Sequence, residues 1–258
     1  MKDILDKFAE QAQKTVSAGY YELADIKGRD KHSLVDSIKG CKGNAVIAEI
    51  KPRSPSIGEL VTNLDVVKVA QEMVVSGSVG ISVLTEPRFF NGTLDNIMKI
   101  SGLVNKPILM KDFILDSVQV RAAEKIGADA ILLIKTLFER GYVENCLDEM
   151  INQAHKNGLE VLLETHTLDE FKESLETEAD LIGINNRNLQ TLEVDLDTTI
   201  EMLIEIDEIC KPVVSESGIT NINDIKYLRS NGVDAFLVGT TLMRARNLGE
   251  TLEELVFG

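Results

Sequence analysis

Eight short apolar runs alternating with helix-like segments predict an α/β chain, a single (β/α)8 TIM barrel of parallel strands preceded by an N-terminal helical extension. The runs, rich in valine, isoleucine and leucine, lie at 45–50, 80–85, 107–111, 130–134, 160–164, 181–184, 212–215 and 235–238. Between them, residues 64–75, 94–103, 117–126, 141–156, 168–175, 195–209 and 222–229 carry helical periodicity. A weak internal repeat supports this register. I-G-A-D-A-I-L-L-I, K-N-G-L-E-V-L-L-E and N-G-V-D-A-F-L-V-G each read as a helix stopped by glycine, a short turn and a buried strand. An open doubly wound sheet would show fewer strands and a G-x-G-x-x-G turn after the first, which is absent.

The stretch before the first strand reads as helical. Ile4, Phe8, Ala12 and Val16 fall on one stripe, and Gly28 and Gly40 interrupt the residues after it. No Pro/Gly/Ser-rich linker divides the rest, so residues 1–44 are expected to be an extension of one barrel domain at 45–258. A length of 258 residues is ordinary for one such barrel. Hydrophobic residues at 44% and charged residues at 27% match an ordinary soluble protein. The formal charge of −15 argues against nucleic acid as a partner, because phosphate contacts need basic stripes. The N-terminus lacks the apolar core of a signal peptide, and no apolar run approaches the roughly 18 residues of a membrane span. Cys41, Cys146 and Cys210 are far apart and form no Cys-x-x-Cys pair, so neither a disulfide framework nor a zinc site is expected. A reduced, cytoplasmic protein is expected, with a monomer as the default.

The chemistry collects at strand ends. In V-I-A-E-I-K-P-R-S-P-S, alternation puts Glu49 and Lys51 on the same face as Ile47. Lys111 ends I-L-M-K-D-F, Glu164 ends V-L-L-E, Asn185 and Arg187 end L-I-G-I-N-N-R, and Ser215, Glu216 and Ser217 end V-V-S-E-S-G. Charges are rarely placed at the end of a buried strand unless they are paired or used. Barrel enzymes keep their active sites at this end, so these residues predict one mouth lined with acids and bases. S-E-S-G-I-T-N and L-V-G-T-T-L-M-R follow the seventh and eighth strands. Their small residues, Ser217, Gly218, Gly239 and Thr240, with a short helix beginning near Thr240, predict a phosphate cradle. Phe89, Phe90 and Phe113 follow strands two and three and could wall an aromatic substrate or simply pack loop bases. Lys135 is a weaker candidate. His166 has no His/Cys/carboxylate cluster beside it in sequence and reads as a loop histidine; the three histidines are too scattered to bind a metal.

Together these segments resemble the indole-3-glycerol phosphate synthase family. The resemblance runs from about Ala45 to Leu255, through I-A-E-I-K-x-x-S-P-S, F-F-N-G-T, L-M-K-D-F-I, L-L-E-T-H, I-G-I-N-N-R-N-L, S-E-S-G-I and L-V-G-T-T-L-M-R in the family's order. It implies a (β/α)8 barrel with an N-terminal extension. The implied reaction closes the indole ring of 1-(2-carboxyphenylamino)-1-deoxyribulose 5-phosphate, releasing CO2 and water without metal or cofactor. By resemblance, Lys111 is the general acid at the substrate carbonyl, and Glu164 moves protons during dehydration and rearomatisation. Lys51 pairs with the substrate carboxylate and is oriented by Glu49. Asn185 and Glu216 hold sugar hydroxyls and the reacting centre, and Ser54 and Arg187 serve the anionic ends. Phe90 and Phe113 contact the anthranilate ring, and Ser217, Gly218, Gly239 and Thr240 hold the phosphate.

This chain departs from the family at three places. Pro52 follows the motif lysine where a basic or polar residue is usual, leaving open whether Arg53 replaces the lost contact. L-L-I-K-T-L after strand four is shorter and more polar than usual, and the stretch before the first strand matches poorly. Other readings stay open at this point: an aldolase with Lys111 or Lys51 as a Schiff base, a ribose-phosphate isomerase, or a barrel that binds phosphosugar without turning it over. The expected partner is a small phosphosugar–anthranilate substrate, with contact to other tryptophan-pathway enzymes also open.

Overall fold

The computed structural model describes residues 3–24 and 30–258, in which eight parallel strands close into a barrel. They are β1 (Ala45–Ile50), β2 (Gly80–Leu84), β3 (Ile108–Lys111), β4 (Ala130–Ile134), β5 (Glu160–Thr165), β6 (Leu181–Asn185), β7 (Val213–Glu216) and β8 (Ala235–Val238). Strand β1 pairs with both β2 and β8, so the barrel leaves no open edge. Every run expected to be a strand is one. The runs are largely apolar on both faces because helices cover their outer face and side chains from other strands fill the inner one. Phe236, adjacent to the inward Leu237, faces the helices and is wholly buried, a contribution of about 2–3 kcal/mol for a side chain of this kind.

The internal repeat has a physical basis. Its glycines, Gly127, Gly158 and Gly232, all sit at positive φ, where the chain must turn sharply from helix to strand. The acid two residues on then caps a neighbour. Asp129 Oδ2 accepts the Ile108 N–H at 2.8 Å and Asp234 Oδ2 accepts the Val213 N–H at 2.8 Å, each satisfying the first donor of the preceding strand. At the same position Glu160 reaches further and accepts from Leu34 N at 2.6 Å and Ser33 Oγ at 2.5 Å, which docks the helix Leu34–Lys39 under the barrel.

The helices depart from expectation in three places. The segment 141–156 is helical only at Leu147–Lys156, while a separate short helix, Lys135–Glu139, precedes it. Gly141 at φ 69° separates them. The segment 195–209 is helical only at Asp197–Leu203; its later half carries Ile204, Ile206, Asp207 and Ile209, poor helix formers ahead of Pro212. A C-terminal helix, Leu248–Phe257, was not expected, although Leu248, Leu252, Leu255 and Val256 have helical spacing.

In the extension, the helix Ile4–Ser17 buries Leu5, Phe8, Ala9 and Ala12, so the buried stripe is rotated by about a residue from the expected one. Its first turn is held by Arg140, whose Nη2 is 2.7 Å from Asp3 Oδ2 and whose Nη1 is 3.1 Å from Asp6 Oδ1. Tyr21 then donates to Asp112 Oδ2 at 2.9 Å, tying the extension to the residue after Lys111. Gly40 follows the helix Leu34–Lys39 as expected, whereas the expected break at Gly28 lies outside the described residues. Among the described residues no helix is long and apolar enough to cross a membrane.

Candidate active site

Strand alternation delivers inward side chains near the C-terminal ends, and these line a cleft of about 300 Å3. The end of β1 supplies Glu49 and Lys51, β3 Lys111, β5 Glu164, β6 Asn185 and β7 Glu216. Leu84 on β2 and Leu132 and Ile134 on β4 make the opposite wall apolar. That wall is intact despite the polar residues that follow Ile134 in the sequence.

Lys111 is the hub of the polar side. Its Nζ lies 2.5 Å from Glu216 Oε2 and 3.2 Å from Glu164 Oε2. Burial opposes the ammonium, but the carboxylates of Glu216, Glu164 and Glu49 outweigh it and raise the lysine above its ordinary range. The two neighbouring acids differ. Burial favours a neutral Glu164, yet Lys111 and His166 hold it well below the usual carboxylate range, and Asn185 Nδ2 donates to its Oε1 at 3.0 Å. At Glu216 burial prevails over the pull of Lys111 and, with repulsion from Glu164, pushes it up to about 7; its Oε1 has no hydrogen-bond partner. Lys51 forms a separate pair, its Nζ 2.7 Å from Glu49 Oε1.

Across the mouth from the apolar wall lie the loops after β7 and β8. Ser217 and Gly218 both have positive φ, 67° and 93°, and a Cβ on Gly218 would press into Val194. A Cβ on Gly239 would overlap Glu49 Oε1, so glycine there leaves room for that carboxylate beside Lys51. The helix Thr240–Met243 starts at this point, and Thr241 Oγ1 donates to Ile219 O at 2.6 Å, joining the two loops. Ser217, Gly218, Gly239 and Thr240 all line the cleft.

Phe90 and Phe113 line the apolar side with ring centroids 6.0 Å apart, and Phe8 of the extension stacks on Phe113 at 4.8 Å. Phe89 is not among the lining residues; it packs edge-on against Phe8 at 4.8 Å. Ser54 reaches the cleft from the first loop, its Oγ 3.1 Å from Ser56 Oγ. The carbonyl of buried Pro52 accepts from Leu60 N and Val61 N and closes that loop, whereas Arg53 is exposed and does not line the cleft. Arg187 does line it, with its Nη1 donating to Leu192 O at 2.8 Å and its backbone N–H to Asn185 Oδ1 at 3.0 Å.

Two expectations need correction. Lys135 lies away from the cleft, paired with Glu173 at 2.6 Å and Glu139 at 3.1 Å. His166 is no isolated loop histidine. Its side chain is 7% exposed, with Nε2 3.2 Å from Glu164 Oε1 and Nδ1 3.8 Å from Glu170 Oε2, so a carboxylate cluster does surround it. Sequence reasoning also missed Ile4, Leu5 and Phe8, which cap the cleft, and Asp112, which lines it. A signal for His166 was present in T-H-T-L-D-E, where Thr167 caps a helix whose Glu170 sits four residues beyond the histidine.

A family model described as indole-3-glycerol phosphate synthase matches residues 3–255, extension included. A protein named indole-3-glycerol phosphate synthase from Oceanobacillus iheyensis is 39% identical over 248 residues, covering 95% of this chain and 93% of that one. One of the same name from Acetivibrio thermocellus is 43% identical over 232 residues, covering 89% and 87%. Among solved structures, an N-acetylmannosamine-6-phosphate 2-epimerase from Clostridium perfringens superposes with a TM-score of 0.62 at 17% identity, covering 83% of this chain and 92% of that one. At that identity the likeness concerns the barrel alone.

Proposed function

We propose that this chain, which belongs to the indole-3-glycerol phosphate synthase family, closes the indole ring with Lys111 as acid and Glu164 as base. The reaction is the decarboxylating, dehydrating ring closure of 1-(2-carboxyphenylamino)-1-deoxyribulose 5-phosphate to indole-3-glycerol phosphate, CO2 and water, a carbon–carbon lyase step of tryptophan biosynthesis. The observation that carries the division of labour is the Lys111 ammonium set between Glu164 and Glu216, with an apolar wall on one side and glycine-rich loops on the other.

As the ring carbon attacks the carbonyl, charge develops on its oxygen. Lys111 stabilises that oxygen more in the transition state than in the ground state. Its raised pKa suits this role, because the proton passes only when the oxygen has become a strongly basic alkoxide. The attack leaves the carboxylate on a tetrahedral carbon, where Lys51, steadied by Glu49, holds it until CO2 departs and the benzene ring regains aromaticity. The nitrogen lone pair then expels this hydroxyl as water as Lys51, released from the carboxylate, gives it a second proton. Glu164 takes the proton from the neighbouring CH2 that completes the indole, while Asn185 fixes its orientation. Glu216 and Asn185 hold the sugar hydroxyls. Phe90 and Phe113 hold the anthranilate ring, and Ser54 and Arg187 serve the anionic ends. Ser217, Gly218, Gly239 and Thr240 cradle the phosphate.

A Schiff base at Lys111 requires a neutral amine, and three carboxylates hold it as the ammonium. In the same proposal the chain works as a monomer in the cytoplasm on a free small molecule, with residues 1–44 an extension of one barrel domain at 45–258, and no step calls on a metal or cofactor. The test is an assay with the synthetic substrate, following indole absorbance and emission. The chain has no tryptophan, so new indole emission stands on a low background. A rise that survives chelator is the expected result; tight binding with no indole formed would overturn the reading.

A further inference from the structure

Behind Glu164, and out of reach of the substrate side of the cleft, His166 sits in a closed polar cluster. Thr136 Oγ1 donates to Glu170 Oε1 at 2.6 Å, so it presents a lone pair to His166 Nδ1, 3.3 Å away. Glu170 Oε2 accepts the His166 backbone N–H at 2.6 Å and lies 3.8 Å from Nδ1. On the other edge of the ring, Glu164 Oε1 lies 3.2 Å from Nε2, an ion-pair contact that is off the line of a hydrogen bond. Both ring nitrogens therefore lie beside oxygens that carry lone pairs. A neutral imidazole carries one N–H, so either tautomer would turn a nitrogen lone pair towards an oxygen lone pair. Two ring protons relieve both contacts: one bonds Thr136 Oγ1, and the charge they give the ring pairs with Glu164.

The placement is also asymmetric. Lys111 contacts both acids, Glu216 at 2.5 Å and Glu164 at 3.2 Å, whereas of these two His166 contacts only Glu164. We propose that His166 is a positioning residue that carries both ring protons and thereby holds Glu164 ionised more firmly than Glu216. The claim rests on the assignment of Glu164 as base. The charged and titratable groups around the imidazole are Glu164 on β5, Glu170 on the following helix, Glu216 on β7 and, beyond Glu164, Lys111 on β3; Thr136 and Asn185 are neutral. Burial works against the imidazolium, but the three carboxylates outweigh it and raise its pKa, in agreement with the contact geometry.

The direct test is nitrogen NMR of the intact protein labelled with [15N]histidine. Only His32, His155 and His166 give signals, so His32→Gln and His155→Gln assign the third even if a variant at 166 fails to fold. The expected result is an imidazolium at position 166 at slightly alkaline pH. A single-N–H imidazole there overturns the proposal. The functional test is the pH profile of His166→Asn, which keeps a donor and loses the charge. Losing a cation within about 4 Å of a carboxylate should move the acid limb of kcat, where Glu164 becomes protonated, upward by about 1 unit or more with KM little changed. His166→Lys, which retains a cation, should bring part of the limb back. Equal loss at every pH in both variants overturns the positioning role. Wild-type inactivity on the synthetic substrate would instead defeat the assignment of the cleft, while the NMR result still judged the Glu164–His166 pair.

Discussion

Replacing Lys111 with methionine keeps the length of the side chain and removes its charge, and the structure sets how much should be lost. A positioned acid contributes about 10²–10⁴-fold. One oxyanion donor contributes about 10²–10³-fold. Both come from one ammonium and overlap, so turnover should fall by about 10³–10⁵-fold, or about 4–7 kcal/mol. Binding should change far less near neutrality. Glu216 already titrates near 7 with the ammonium 2.5 Å away, so without Lys111 it takes up a proton and the anionic substrate meets little extra charge. Affinity should stay within about tenfold near pH 7, because the acid acts mainly in the transition state, and weaken as the pH rises. Stability should follow the same sign. A carboxyl whose folded-state pKa exceeds its unfolded value stabilises the fold below the unfolded value and loses that contribution as pH climbs through the folded one. The variant's urea midpoint should therefore fall more steeply than the wild type's above about pH 7, towards the roughly 3–5 kcal/mol cost of breaking a buried pair. Single-turnover indole fluorescence, equilibrium binding and urea melts measure the three quantities. Turnover within tenfold of wild type would refute the assignment of Lys111 as the acid.

Two further substitutions probe the surroundings. Buried Asp112, raised to about 6 by burial despite hydroxyl donors from Thr85 and Tyr21, loses one donor in Tyr21→Phe. Its folded pKa then rises further from the unfolded value, so the variant should lose about 1–3 kcal/mol at pH 8 and less near pH 5, where the carboxyl is protonated; equal losses in urea melts at both pH values would contradict this. Gly239→Ala should displace Glu49 from Lys51 and lower kcat/KM by about 10²-fold, whereas Gly102→Ala, whose Cβ meets nothing within 4 Å, should leave steady-state kinetics unchanged.

The barrel was legible because every strand is a run of branched aliphatics closed off by glycine, proline or an acid, and the period of two then marks which terminal residues face inward. Glu49, Lys51, Lys111, Glu164, Asn185 and Glu216 follow from that alternation, and all six line one cleft. What escaped depends on distant partners. Phe8 caps the aromatic wall only because the extension folds back over Phe113, and Arg140 and Tyr21 pin it there. His166 looked idle because Thr136 arrives from another strand's end. Helix limits at 141–156 and 195–209 were overrun where one left-handed glycine or a run of isoleucines outweighed an amphipathic pattern.

The measurement closest to the central claim is quenched-flow analysis of Glu164→Gln with substrate labelled in its carboxylate carbon, comparing CO2 released with indole formed. Lys111 acts before decarboxylation and Glu164 after it. The variant should therefore still release CO2 while indole formation falls by about 10²–10⁴-fold, whereas Lys111→Met should suppress both together. Equal loss of CO2 and indole in Glu164→Gln would contradict the division of labour between the two residues.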